Sequence, residues 1–108
     1  MILYNTTFIV DTRLSDQFTT WVSTRYITTA IESGLLEQPL LTRILQPADI
    51  SAGPSDCNME SFALQFKSPS LEASHKWDEE VAPVLINEFH RGRSAESLLS
   101  FSTFMEIL

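Results

Sequence analysis

The feature that most narrows the fold is the order in which two hydrophobic periods alternate along the chain. Residues 2–10 are β-branched or aromatic at most positions and read as a strand. Ile2, Tyr4, Thr6, Phe8 and Val10 fall on one side, and Leu3, Asn5, Thr7 and Ile9 on the other. Neither side is fully polar, which predicts a central strand covered on both faces. A helical pattern follows, opened by Ser15 or Asp16 as a cap and closed at Gly34, which tolerates positive φ. Leu14, Phe18, Trp21, Val22 and Arg25 share one stripe; Ile27, Ala30, Ile31 and Leu35 share another, displaced around the axis. A straight helix keeps phase, so a kink or break is expected between about Ser23 and Thr28, amid β-branched residues.

After Pro39 the run Leu40 to Gln46 reads as a second strand, and Met59 to Lys67 as a third. The intervening stretch 47–57, with two prolines and a glycine, reads as a long loop. Ser70 is placed to cap a second helix, with Leu71, Val81, Ala82, Leu85, Ile86 and Phe89 on its buried arc. Pro83 lies inside that helix and predicts a kink near Glu79–Glu80. His90-Arg91-Gly92-Arg93 ends it, and Ser97 to Ile107 reads as the last strand. The order βαββαβ, without repeat or linker over 1–108, predicts one α+β domain of ferredoxin-like architecture. Its four-stranded antiparallel sheet has the first and third strands central and both helices on one face. The other face still carries Leu and Phe among polar residues, so a second copy is expected to cover it, giving a homodimer through the open sheet face.

Charge excludes several partners. Seven Lys and Arg stand against fourteen Asp and Glu, a net charge of −7, which argues against nucleic acid or an anionic membrane. No apolar run approaches the roughly 20 residues of a membrane span. The N-terminus lacks the basic region of a signal peptide, so a cytoplasmic protein is expected. Cys57 is the only cysteine, which excludes an internal disulfide and a cysteine-based zinc site. Asp78-Glu79-Glu80 point in different directions on a helix and cannot converge on one ion, so no metal site is expected.

Several segments resemble one known family. They are Met1-Ile2-Leu3-Tyr4-Asn5; Trp21 through Leu36; Ser61-Phe62-Ala63-Leu64-Gln65-Phe66 followed by Pro69-Ser70-Leu71; Ala82-Pro83; and Phe101 through Glu106. In this order and spacing the chain resembles a small uncharacterised bacterial family, domain of unknown function 4286. The resemblance implies a dimeric α/β barrel of two ferredoxin-like sheets packed face to face. Related barrels include small monooxygenases, haem-degrading enzymes and isomerases, but no reaction carries over from the family itself. Many relatives have His-Ile-Pro where this chain has Tyr26-Ile27-Thr28. Tyrosine is a poor base near neutral pH, which weakens any reading that depends on a histidine there. Relatives also tend to be apolar at the positions of Ser74 and Asp78.

Two functions stay open. One is a small dimeric domain that binds a ligand or partner without an assigned reaction. The other is a cofactor-independent enzyme, monooxygenase- or isomerase-like, acting on a small apolar or aromatic compound. Whether the chain is an enzyme is thus unsettled by its residues, and no cofactor is implied. The expected ligand-binding residues are Asn5, Tyr26, Gln65 and His75, lining a pocket between sheet and helices. His75 and Asp78, three apart on a helix, are able to pair, although a rotated helix start would leave both at the rim. Asn5, Gln65, Arg43 and Ser102 are candidates for one cluster on a sheet face, or for hydrogen bonds across a wet interface. Phe18 and Trp21 read as core.

Overall fold

A computed structural model describes residues 1–45 and 59–108. The expected 47–57 loop and Cys57 lie outside the described residues. Four strands, β1 (Ile2–Asp11), β2 (Glu37–Ile44), β3 (Met59–Ser68) and β4 (Leu98–Glu106), form one antiparallel sheet in the order β2-β3-β1-β4. The first and third strands are central, as the element order requires. The fold is α+β and ferredoxin-like, with one helical rod connecting β1 to β2 and a second connecting β3 to β4. No helix among the described residues is long and apolar enough to cross a membrane.

Register settles which residues share a face. Tyr4 pairs with Phe66 and Phe104, Thr6 with Leu64 and Ser102, and Phe8 with Phe62 and Ser100. These even positions face the helices, and Tyr4, Phe8, Phe62, Leu64 and Phe66 are buried there. The helices fill this face with rings: Phe18 lies 5.2 Å from Phe8 and 5.1 Å from Phe62, and Tyr26 lies 5.7 Å from Phe8, edge to face. Such pairs contribute about 0.5–1.5 kcal/mol beyond their area burial. The odd positions form the opposite, open face. Leu40, Leu99 and Phe101 on its outer strands are 55%, 51% and 57% exposed, whereas Leu3, Asn5 and Gln65 on the central strands are half-buried.

The first rod comprises α1 (Ser15–Trp21), a π-helical turn (Val22–Tyr26) and α2 (Ile27–Ser33). The π turn falls where the sequence loses phase, and the cause is visible in the spacing. The buried residues Phe18, Val22, Tyr26 and Ala30 recur every four positions, wider than the 3.6 of an α-helix. A turn closed by Ile27 N–H donating to Val22 O, five residues back, absorbs the difference. Gly34 ends the rod at φ 74°. The start differs from expectation: Ser15 is inside the helix with its hydroxyl donated to Glu60, and Asp11 instead caps the short 3-10 turn Thr12–Leu14 by accepting from Arg13 N–H. Arg25 also leaves the predicted inner stripe, turning outward to an ion pair with Glu88 at 2.9 Å.

The second rod repeats the device: α3 (Leu71–Lys76), a π turn (Trp77–Val81) and α4 (Ala82–His90). Ser70 caps it by accepting from Ala73 N–H at 3.1 Å. Pro83 removes a backbone donor, and Ala82 N–H reaches back five residues to Trp77 O. The inner arc therefore steps from Ser74 and Trp77 to Ala82, Leu85 and Phe89. Leu71, expected on that arc, precedes the change of phase and is 49% exposed.

The second strand begins earlier than expected. It includes Pro39, with a register shift between Glu37 and Leu40 and a positive φ of 52° at Gln38. Proline is tolerated there because β2 is an edge strand with one side free of ladder bonds.

Candidate functional site

The two π turns meet. Tyr26 closes the first and Trp77 opens the second, and the Trp77 indole N–H donates to the Tyr26 hydroxyl at 3.2 Å with both side chains fully buried. Their rings stand edge to face, 5.4 Å apart. π turns inside α-helices recur at functional sites because the extra residue re-aims a side chain. Here the residue after Trp77 is Asp78, which reaches the sheet.

Asp78 Oδ1 accepts from the Tyr4 hydroxyl at 2.7 Å. The Ser102 hydroxyl lies 3.2 Å from the Tyr4 oxygen and 3.0 Å from Thr6 Oγ1. Proton bookkeeping gives this cluster one direction. Tyr4 has a single proton, committed to the carboxylate, so Ser102 donates to Tyr4 and Thr6 donates to Ser102. The chain runs Thr6, Ser102, Tyr4, Asp78, every donor aimed toward the carboxylate, and such chains polarise one another. Burial pushes the Tyr4 hydroxyl far above its ordinary pKa and Tyr26 up to about 12. Both stay protonated at any physiological pH and serve as neutral hydrogen-bonding groups.

These side chains floor a cleft of about 410 Å³ between α4 and the edge strand β4. Ala82, Pro83 and Ile86 supply its apolar wall, and Ser100, Ser102 and Asn87 its polar rim. An apolar wall with a few convergent polar groups is the usual make-up of a small-molecule site. The arrangement can orient a ligand by hydrogen bonds and receive a proton at Asp78.

The four expected ligand residues do not converge. Tyr26 lines the cleft. Asn5 and Gln65 are register partners, but on the open face, with the sheet between them and the cleft. His75 sits outside it, its ring stacked on Phe104 at 4.4 Å and its Nδ1 3.9 Å from Glu79 Oε1. His75 therefore faces Glu79 rather than Asp78, one residue beyond the contact that the i,i+3 spacing suggested. The proposed cluster of Asn5, Gln65, Arg43 and Ser102 is split by the sheet. Arg43 pairs in register with Phe62, its guanidinium 5.5 Å from that ring, and Ser102 pairs with Thr6, so both belong to the helix side. The sequence reading missed Tyr4 and Thr6, and considered Asp78 only as a partner of His75, not of Tyr4. The signal was available: the aromatic side of each central strand must face the helices, and Tyr4, Thr6 and Ser102 lie on that side.

A family model for a domain of unknown function, DUF4286, matches residues 1–108. No functionally curated protein matches the chain. Among solved structures, the chain is similar to HapK from Hahella chejuensis, at 14% identity over 100% of this chain and 93% of that one, with a TM-score of 0.68. It is also similar to two proteins from an uncultured marine organism, each described as a dimeric ferredoxin-like protein. The first is 9% identical over 98% of this chain and 94% of that one, TM-score 0.60. The second is 8% identical over 99% and 95%, TM-score 0.55. At such identities the likeness speaks for the fold.

Proposed function

The chain belongs to the DUF4286 family, and from that premise we propose that it is a homodimeric small-molecule-binding protein whose ligand enters the cleft between α4 and β4. The observation that carries this reading is the convergence of Tyr4, Thr6, Asp78 and Ser102 on one cleft of about 410 Å³ with an apolar wall. Of the residues expected from sequence to bind ligand, Tyr26 serves the cleft, while Asn5 and Gln65 serve the interface between copies.

The dimer reading rests on the exposed Leu40, Leu99 and Phe101 of the open face and on the dimeric description of two fold neighbours. A bare patch of this kind is unfavourable in water, and a second copy of the same face closes it with two-fold symmetry. Sedimentation at micromolar concentration should give a dimer, and Phe101→Asp should give a monomer that keeps its far-UV spectrum. A wild-type monomer would overturn the pairing.

For the cleft, ligand screening of 15N-labelled protein should produce shifts clustered at the amides of Asp78, Asn87, Ser100 and Ser102. Hits that never cluster there would refute the site. A second reading, an isomerase-like enzyme acting on an apolar or aromatic compound, is favoured by Asp78, whose Oδ1 is held by Tyr4 in the posture of a general base.

A further inference from the structure

From the charge and donor count of the cleft, we infer that its ligand is a protonated amine or another N–H-bearing base, held by Asp78 as counter-ion. This deepens the ligand-binding reading above and rests on it.

Every Lys, Arg and His of the sequence lies among the described residues, since 46–58 contains none. None of them lines the cleft. Lys76, two positions before Asp78, is exposed and does not line the cleft, and other basic side chains of the two rods are engaged elsewhere. Arg25 pairs with Glu88, Arg93 stacks over Phe89 and donates to Gln17, and His75, one turn before Asp78, stacks on Phe104 beside Glu79. Among the described residues Asp78 is thus the one charged side chain lining the cleft, and it is half-buried. A carboxylate or phosphate on the ligand would meet like charge with no cation to offset it, in a setting where screening by water is reduced.

The hydrogen-bond chain points the same way. The protons of Thr6, Ser102 and Tyr4 are already directed along the chain to Asp78 Oδ1. A ligand that only accepts finds these donors occupied. Asp78 Oδ2 has no hydrogen-bond partner among the described residues, so the charged group that the cleft offers is an acceptor, beside the neutral Ser100 hydroxyl and Asn87 amide of its rim. Charge-assisted bonds from an ammonium or amidinium are the strongest that such an oxygen makes. The Ala82, Pro83 and Ile86 wall then suits an apolar or aromatic body behind the cationic head.

The test uses three probes of matched shape on the full chain: benzylamine, benzyl alcohol and benzoate, each titrated by 15N chemical shifts. Benzylamine should shift the cleft amides and benzoate should not. Asp78→Asn retains an oxygen acceptor for Tyr4, so it should keep the fold, and it should weaken benzylamine by at least about tenfold while leaving benzyl alcohol unchanged. Comparing this variant with wild type separates a local contact from general attraction to a chain of net charge −7. Benzoate binding as well as benzylamine, or an unchanged benzylamine affinity in Asp78→Asn, overturns the inference and leaves the cleft as a ligand site. Failure of all three probes to shift any cleft amide overturns both.

Discussion

Removing one oxygen, by Tyr26→Phe, tests whether the two helical rods are fastened where their widened turns meet. The rings that surround Tyr26 would keep their contacts: Phe8 at 5.7 Å, Trp21 at 5.5 Å and Trp77 at 5.4 Å all touch the ring rather than the hydroxyl. What is lost is the acceptor for Trp77 Nε1–H, and Trp77 is itself fully buried. A neutral hydrogen bond contributes about 0.5–1.5 kcal/mol net, and stranding its buried partner raises the cost to about 1–3 kcal/mol. With an unfolding entropy of about 2.1 cal/mol/K per residue, a chain of this length should lose about 4–13 °C in Tm. Tyr4→Phe supplies the comparison. Its hydroxyl partners, Asp78 and Ser102, are half-buried beside the cleft and can rehydrate, so the cost should stay under about 1 kcal/mol. Urea unfolding at fixed protein concentration, followed by tryptophan fluorescence and far-UV dichroism, measures both. A Tyr26→Phe midpoint within about 0.5 kcal/mol of wild type, at unchanged m, would refute the fastening role.

Further expectations follow from single positions. The Tyr26 pKa of about 12 lies above its unfolded value near 10, so the folded state holds a proton that the unfolded state has released. Its stabilisation is complete below pH 10, falls through the interval up to pH 12 by about 3 kcal/mol, and should be missing from the pH profile of Tyr26→Phe. Gly34→Ala meets open space around its new Cβ, so its cost of about 1 kcal/mol should come from the φ of 74° alone and appear in thermal unfolding without loss of ligand shifts. Ser70→Ala removes the cap on Ala73 N–H and should cost about 1 kcal/mol by the same assay.

The architecture was legible because the two periods alternate cleanly, and so was the loss of phase, since the stripe carrying Phe18 and Val22 cannot reach Ala30 at 3.6 residues per turn; it was expected as a kink or break, whereas the structure absorbs it in a π turn. Pro83, by the donor that it lacks, marked the place of the second irregularity, expected as a kink and found as a π turn. The site was less legible. Period two says that Asn5 and Tyr4 lie on opposite faces, but assigning a face to the helices requires comparing strands, and Asn5 and Gln65 drew attention by polarity alone. Ser102 was noticed as a polar residue without its partners, since Thr6 and Tyr4 are more than ninety positions away in sequence. The Asp78 contact depends on the phase after Lys76, which a regular helix would set differently. Ser15 was taken for a cap because its type permits it; the bond to Glu60 is a tertiary contact that no local pattern encodes.

The two rims of the sheet are unlike. Along β2, the displaced register after Glu37, the left-handed Gln38 and the ring of Pro39 spoil any template on which a foreign strand could zip. The far rim, β4, pairs with β1 over nine residues without a register shift. Growth by stacking rim upon rim needs two competent borders per molecule, and this chain presents one. Copies that adhere edgewise would stop at a pair, so the kink in β2 works as a brake against fibres.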